Sequence, residues 1–279
     1  MDLSSRAIGV FDSGVGGLTV LRALCDELPC EQFVYLGDTA RLPYGTKSAD
    51  TVVRYALQAA DTLVGRGIKA LIVACNTASA VALPSMRDRY GDLPVIGVVE
   101  PGAEAAVAAT RNGCIAVIGT EATVRGGAYQ RAIARRRPEA TVSAVACQLF
   151  VALAEEGWTC GVIARATAQR YLAPLFGLQQ PGGVPAADTL VLGCTHFPAL
   201  RPAIREVIGD QVTIVDSAAA TARVAHRLLQ RGGLLRAQQA AQAPELSFLA
   251  TDSVARFASI GSRFLERDIG AHQVELVDL

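Results

Sequence analysis

The 279-residue chain has no surplus of either charge. Its 26 Lys and Arg balance 26 Asp and Glu, so it presents no broad positive field for nucleic acid or an anionic membrane, and neither is expected as a partner. Charge is also sparse, at 19% of residues against 51% hydrophobic. That excludes a disordered or extended polymer and supplies material for sizeable cores. No uncharged apolar run reaches the roughly 18 residues of a membrane span. The opening MDLSSRAIGVFDSG passes from a short polar lead into a strand-like segment, without the apolar core and cleavage site of a signal peptide, so a cytoplasmic location is expected. Closely paired cysteines are missing too. The seven, at 25, 30, 75, 114, 147, 160 and 194, are odd in number and lack zinc-ribbon or redox spacing, which argues against a disulfide framework or a metal site. The densest basic run, Arg135 to Arg137 ahead of Pro138, reads as a solvated helix end.

What is present is a recurrence of short β-rich runs. AIGVF (7–11), QFVYL (32–36), ALIVA (70–74), VIGVV (95–99), CIAVIG (114–119), TVSAVA (141–146), TLVLG (189–193), VTIV (212–215) and SFLA (247–250) alternate with amphipathic stretches. Such alternation predicts parallel sheets covered on both faces, and the length suits two domains at roughly 100 to 200 residues each. Gly14, Gly16 and Gly17 precede one helix; Ser48 opens another that Gly65 and Gly67 close. The segment QQPGGVPAAD (179–188) reads as an exposed connection.

Two segments share a pattern. GIKALIVACNTAS and PAADTLVLGCTHFP each run through a strand to a cysteine followed by polar residues, placing Cys75 and Cys194 119 positions apart. Two α/β halves would each carry a thiol at the carboxyl end of a strand, where open sheets bind ligands. Opposed thiols suit inversion of a stereocentre, which needs a base on one face of a carbon and an acid on the other. The competing reading is two packed core cysteines. In FDSGVGG, Asp12 and Ser13 precede a helix start whose N–H groups can receive an anion. Thr19 stands where the third glycine of a dinucleotide fingerprint would fall, and Asp12 would repel a phosphate, so a carboxylate suits the site better. Asp12 could equally be a plain N-cap. His196, two residues after Cys194, can relay a proton to the thiol, with a structural histidine as the alternative.

GVFDSGVGGLTV, YLGDTARLPYG, VACNTASA, VIGVVEPG, VIGTEATV and LGCTHFP, in this order, resemble the glutamate racemases, from about residue 7 to the last strand. The resemblance implies cofactor-independent interconversion of L- and D-glutamate, supplying D-glutamate for peptidoglycan. It implies Cys75 and Cys194 as the two proton donor/acceptors, Asp12 assisting the first and His196 the second. Substrate contacts are implied from Asp12, Ser13, Tyr44, Gly45, Asn76, Thr77, Thr120, Thr123, Thr195 and His196, with Asp38 and Glu155 as supporting carboxylates. Gln148 and Ala152 stand where the family usually has proline, which makes Glu156 a second candidate beside Glu155. The implied fold is two pseudo-symmetric doubly wound domains facing a central cleft. One domain is 1–97 plus 212–279, carrying Cys75; the other is 98–211, carrying Cys194. Family members commonly dimerise, so a homodimer is expected.

Three other functions stay open at this point. An aspartate or hydantoin racemase would share the fold, but aspartate racemases generally carry Glu where His196 stands. A cysteine hydrolase using Cys194 and His196 leaves Cys75 without a task. A non-catalytic carboxylate-binding protein needs neither thiol.

Overall fold

Ile8, Val10 and Phe11 have no exposed surface, and the strand they build, β1 (Ile8–Asp12), is buried along its whole length. Continuous apolar runs of this kind mark strands covered on both faces. The same holds for β3 (Ala70–Val73), β5 (Cys114–Gly119) and β7 (Thr189–Gly193). The remaining strands are β2 (Gln32–Gly37), β4 (Val95–Gly97), β6 (Thr141–Ala146), β8 (Thr213–Asp216), β9 (Glu245–Ala250) and β10 (Val274–Leu276). The computed structural model describes residues 3–176, 186–237 and 244–279. Most of the connection expected at 179–188 therefore lies outside the described residues.

The strands form two sheets, ordered β10-β9-β2-β1-β3-β4 and β6-β5-β7-β8. All pairings among the described residues are parallel. Strands β1 to β4 lie in the order 2-1-3-4, and β5 to β8 repeat that order as 6-5-7-8. Each half is thus a doubly wound unit whose strand order reverses beside its first strand, and the crevice at such a reversal is where ligands bind. Cys75 follows β3 and Cys194 follows β7, the equivalent strand of the other half.

Strand β8 pairs with β7, so the second sheet runs to Asp216, past the return expected at 212. The helix Ser217–Arg231 then packs on both Leu18–Glu27 and Val99–Ala109. One apolar cluster joins the two halves, holding Ile8, Val10 and Leu18 together with Leu190, Phe197 and Ile204.

Local signals account for the helix positions. The hydroxyl of Ser48 accepts from Thr51 N at 3.4 Å to start Ala49–Gly65. Gly67 leaves it at φ +76°, a conformation that glycine adopts without strain. No helix among the described residues is long and apolar enough to cross a membrane.

Candidate active site

Both cysteines sit where a strand gives way to the next turn. Cys75 is the N-cap of the helix Asn76–Val81, and its sulfur accepts from Ala78 N at 3.4 Å and lies 3.5 Å from Ser13 Oγ. Burial pushes this thiol up to about 12 and the carboxylate of Asp12 adds to the shift, against the Ser13 and Ala78 hydrogen bonds. The charge of Cys194 raises it further. Cys194 Sγ stands 3.9 Å from His196 Nδ1, and His196 Nε2 stands 3.2 Å from Glu155 Oε1. Burial alone would hold this imidazole neutral. The hydrogen bonds to Cys194 and Glu155, with the charges of Cys194 and Asp12, outweigh it and raise His196 to about 10.

A narrow pocket of about 30 Å³ lies between the two sheets. Ser13, Tyr44, Gly45, Cys75, Asn76 and Thr77 line it from the first half, and Thr120, Cys194, Thr195 and His196 from the second. Pro43 and Val151, which the sequence did not single out, complete the wall. Four expected residues stand behind that surface. Asp12 is fully buried, with Oδ2 accepting from Gly14 N at 3.0 Å and Oδ1 without a partner among the described residues. It does not cap the following helix, whose N-cap is Gly17. Burial raises its carboxyl, against His196 and the N–H groups of Gly17, Gly14 and Ser13. Thr123 sits below Thr120, and the hydroxyls of Thr77, Thr120 and Thr123 form a triangle with sides of 3.0, 3.0 and 3.2 Å.

Asp38 and Glu155 brace rather than line. Asp38 accepts from Tyr44 OH at 2.5 Å, Arg41 Nε at 2.7 Å and Thr251 Oγ1 at 2.9 Å, which fixes Tyr44 in the wall. Glu155 points at His196, whereas its neighbour Glu156 is exposed. Adjacent helical residues diverge by about 100°, so only one of the two can face the imidazole. The hydrogen bond from His196 holds the Glu155 carboxyl below its ordinary value, against burial and with help from Arg256.

Two glycines let the halves meet. A Cβ on Gly16 would lie 2.5 Å from Thr195 Oγ1 and His196 Nδ1, and one on Gly45 would lie 2.5 Å from Thr120 Cβ. The Thr19 hydroxyl also donates across to the Thr195 carbonyl at 3.2 Å.

Sequence reasoning missed the residues that hold the lining in place. Tyr129 OH donates to Asn76 Oδ1 at 2.7 Å. From the helix Val254–Leu265, Arg256 reaches Glu155 Oε2 at 3.3 Å, Arg263 donates to the Glu155 carbonyl, and Phe264 packs edge-on against His196 at 5.3 Å. Their partners lie 53 to 108 positions away for Tyr129, Arg256 and Arg263, and no local motif links them. Among the described residues no group of His, Cys, Asp and Glu is placed to hold a metal ion.

Comparison with known proteins identifies the family. The family model described as Asp/Glu/Hydantoin racemase matches residues 19–225. A glutamate racemase of Geobacter metallireducens is 51% identical over 272 residues, covering 97% of each chain. Among solved structures, glutamate racemase from Francisella tularensis in complex with D-glutamate has a TM-score of 0.88 at 34% identity, over 99% of this chain and 98% of that one. Glutamate racemase from Thermus thermophilus, in complex with β-chloro-D-alanine, has a TM-score of 0.85 at 41% identity, over 100% and 99%. Matched across most of its length by the family model and nearly end to end by these relatives, this chain belongs to the Asp/Glu/Hydantoin racemase family, among its glutamate racemases.

Proposed function

We propose that the protein interconverts L- and D-glutamate by a two-base mechanism, with Cys75 and Cys194 exchanging the roles of acid and base and no cofactor taking part. The observation that carries this reading is the placement of the two thiols on equivalent strands of the two halves, both lining one pocket. One sulfur removes the α-proton from its face of the carbon while the other delivers a proton to the opposite face. Asp12, behind Cys75, and His196, beside Cys194, would each pass a proton to and from the neighbouring sulfur. Charge that develops on the carboxylate as the α-proton leaves would be met by Ser13, Thr77 and Thr120. Preorganised donors of this kind contribute about 3 kcal/mol each to lowering a barrier. In a bacterial cell such activity would supply D-glutamate for peptidoglycan, the role that the sequence resemblance implies.

The chain Cys194, His196, Glu155 would also suit an acyl-transfer nucleophile. Cys75 has no place in that chemistry, yet it shares the pocket. Incubation with L-glutamate in D2O separates the two readings. Racemisation exchanges the α-proton for deuterium and brings optical rotation to zero, with no added cofactor. Cys75→Ser and Cys194→Ser are each expected to stay folded and to lose about 10²- to 10⁴-fold in rate, the usual size of a general acid–base contribution. Full activity in either variant removes the two-thiol mechanism, and absence of exchange in the parent removes the racemase. Aspartate in place of glutamate tests the substrate and is expected to react poorly.

A further inference from the structure

Asn76 offers the pocket an amide whose orientation decides what it can do. With Nδ2 facing the cavity it is a donor for a carboxylate; turned by half a rotation it presents Oδ1 and repels one. Asn76 is 3% exposed, lines the pocket, and has a buried Nδ2 without a hydrogen-bond partner among the described residues. A donor left bare in this way costs stability unless a ligand completes it. Its own backbone leaves the amide free to turn, so something outside the helix must choose.

We infer that Tyr129 is the positioning residue for Asn76, holding Oδ1 so that Nδ2 faces the pocket as a donor to a carboxylate of the substrate. The inference rests on the glutamate reading above. Tyr129 comes from the other half of the molecule, in the helix Ala128–Arg136, and its ring is 1% exposed. Two glycines shape its seat: a Cβ on Gly102 or Gly193 would come within 3.1 Å of the ring. A tyrosine hydroxyl can donate or accept, but here its 2.7 Å contact is with Asn76 Oδ1, an atom that can only accept, so the phenol proton lies between them. Tyr129 therefore sets the amide across the boundary between the halves. Because Tyr129 and Asn76 belong to different halves, the donor is oriented only where the halves are together.

The test is a double-mutant cycle with Tyr129→Phe and Asn76→Ala, which keeps the ring in its seat and removes only the hydroxyl. Tyr129→Phe is expected to raise KM for L- and D-glutamate, and the calorimetric Kd, by about tenfold, the size of a charge-assisted hydrogen bond lost. kcat should change little. In the Asn76→Ala background the same substitution is expected to change both by less than twofold, because Tyr129 then has nothing to orient. Asn76→Asp serves as the second variant should the phenylalanine destabilise the fold: it keeps an acceptor for Tyr129 but replaces the Nδ2 donor by a carboxylate oxygen, and is expected to raise KM and Kd by about tenfold or more, unchanged values overturning the inference. A tenfold effect that persists in the Asn76→Ala background overturns the inference in favour of a structural tyrosine, as does an unchanged KM and Kd in Tyr129→Phe. A parent that binds glutamate without racemising it removes the proposed function and leaves the Kd ratios to decide on Tyr129. A parent that does neither removes both.

Discussion

Lys69 and Glu31 show how much a single residue can carry away from the pocket. Their side chains are 0% and 2% exposed, and Lys69 Nζ meets Glu31 Oε2 at 2.5 Å and the Ser4 carbonyl at 2.7 Å. The other carboxylate oxygen accepts from Arg236 N at 2.9 Å. The pair precedes β3 and β2, at the amino ends of the first sheet, opposite the edge that carries the cysteines. Removing one partner strands a buried charge, so Lys69→Met is expected to cost about 3 to 5 kcal/mol in urea unfolding. Lys69→Met/Glu31→Leu should recover much of that loss, because an apolar pair of similar volume has no desolvation penalty. kcat should stay at the parent value in both, and a single variant as stable as the parent removes the argument. Neither residue was legible in the sequence, where a lone Lys or Glu before a strand reads as a solvated turn. Cys75 and Cys194 were legible because a thiol ending a buried apolar run is locally odd and occurs twice. Tyr129 was not, since a tyrosine within GGAYQRAI carries no local sign that it touches a residue 53 positions away.

Elements were easier to read than partners, because periodicity is local and contacts are not. All nine apolar runs became strands, but β10 escaped: in Val274–Leu276 only the first residue is buried, so there is no apolar run to detect. VIGVV was read as a strand to its end, yet Val99 opens a helix. Glu100 and Pro101 follow it, an acid and a proline in a first turn, which favour a helix start over strand continuation. The basic run at 135–137 ends the helix Ala128–Arg136, where Arg135 and Arg136 close on Glu100 and Arg137 meets Glu139 at 2.9 Å. The helix Gln148–Glu156 carries the element-scale prediction, because it brings Glu155 to His196. His196 is raised from 6.5 to about 10, so its contribution to stability is fully present below 6.5 and is lost as pH climbs through about 10. Glu155 is lowered from 4.5, so its contribution holds above 4.5 and is lost as pH falls through the depressed value. Glu155→Gln should therefore lose most stability between those limits, with the difference from the parent fading above pH 10. Urea midpoints taken across this range decide it, and a difference that does not vary with pH would mean that the two groups are not coupled.

At the scale of the whole molecule, the pocket exists only because two halves approach each other, and the contacts that permit it are made by residues with no side chain. Gly45 sits over Thr120 and Gly16 over Thr195 and His196, each with no room for a methyl group. Around them, Thr77 meets Thr120 at 3.0 Å and Thr19 donates to the Thr195 carbonyl at 3.2 Å, so threonine hydroxyls of the first half register it against the second. On the proposed mechanism, glutamate would reach the two buried thiols by separation of the halves, and proton transfer at both faces of one carbon would need them together again. Gly45 is the cleaner probe, because its contact is Thr120 rather than the histidine. Its φ lies outside the left-handed region, so an alanine there strains no backbone and acts through its clash with Thr120 across the pocket wall. Gly45→Ala is expected to lower kcat/KM by about 10²-fold, the size of effect that follows from misplacing reacting groups by about 1 Å. Its thermal midpoint should remain near that of the parent, since neither Gly45 nor Thr120 belongs to the apolar cluster that joins the two halves. X-ray scattering supplies the independent readout: saturating D-glutamate should contract the parent, while Gly45→Ala should keep its ligand-free radius of gyration. Full activity together with parent-like contraction would show that Thr120 can yield to the added methyl, and closure would then have to be governed by contacts other than this one.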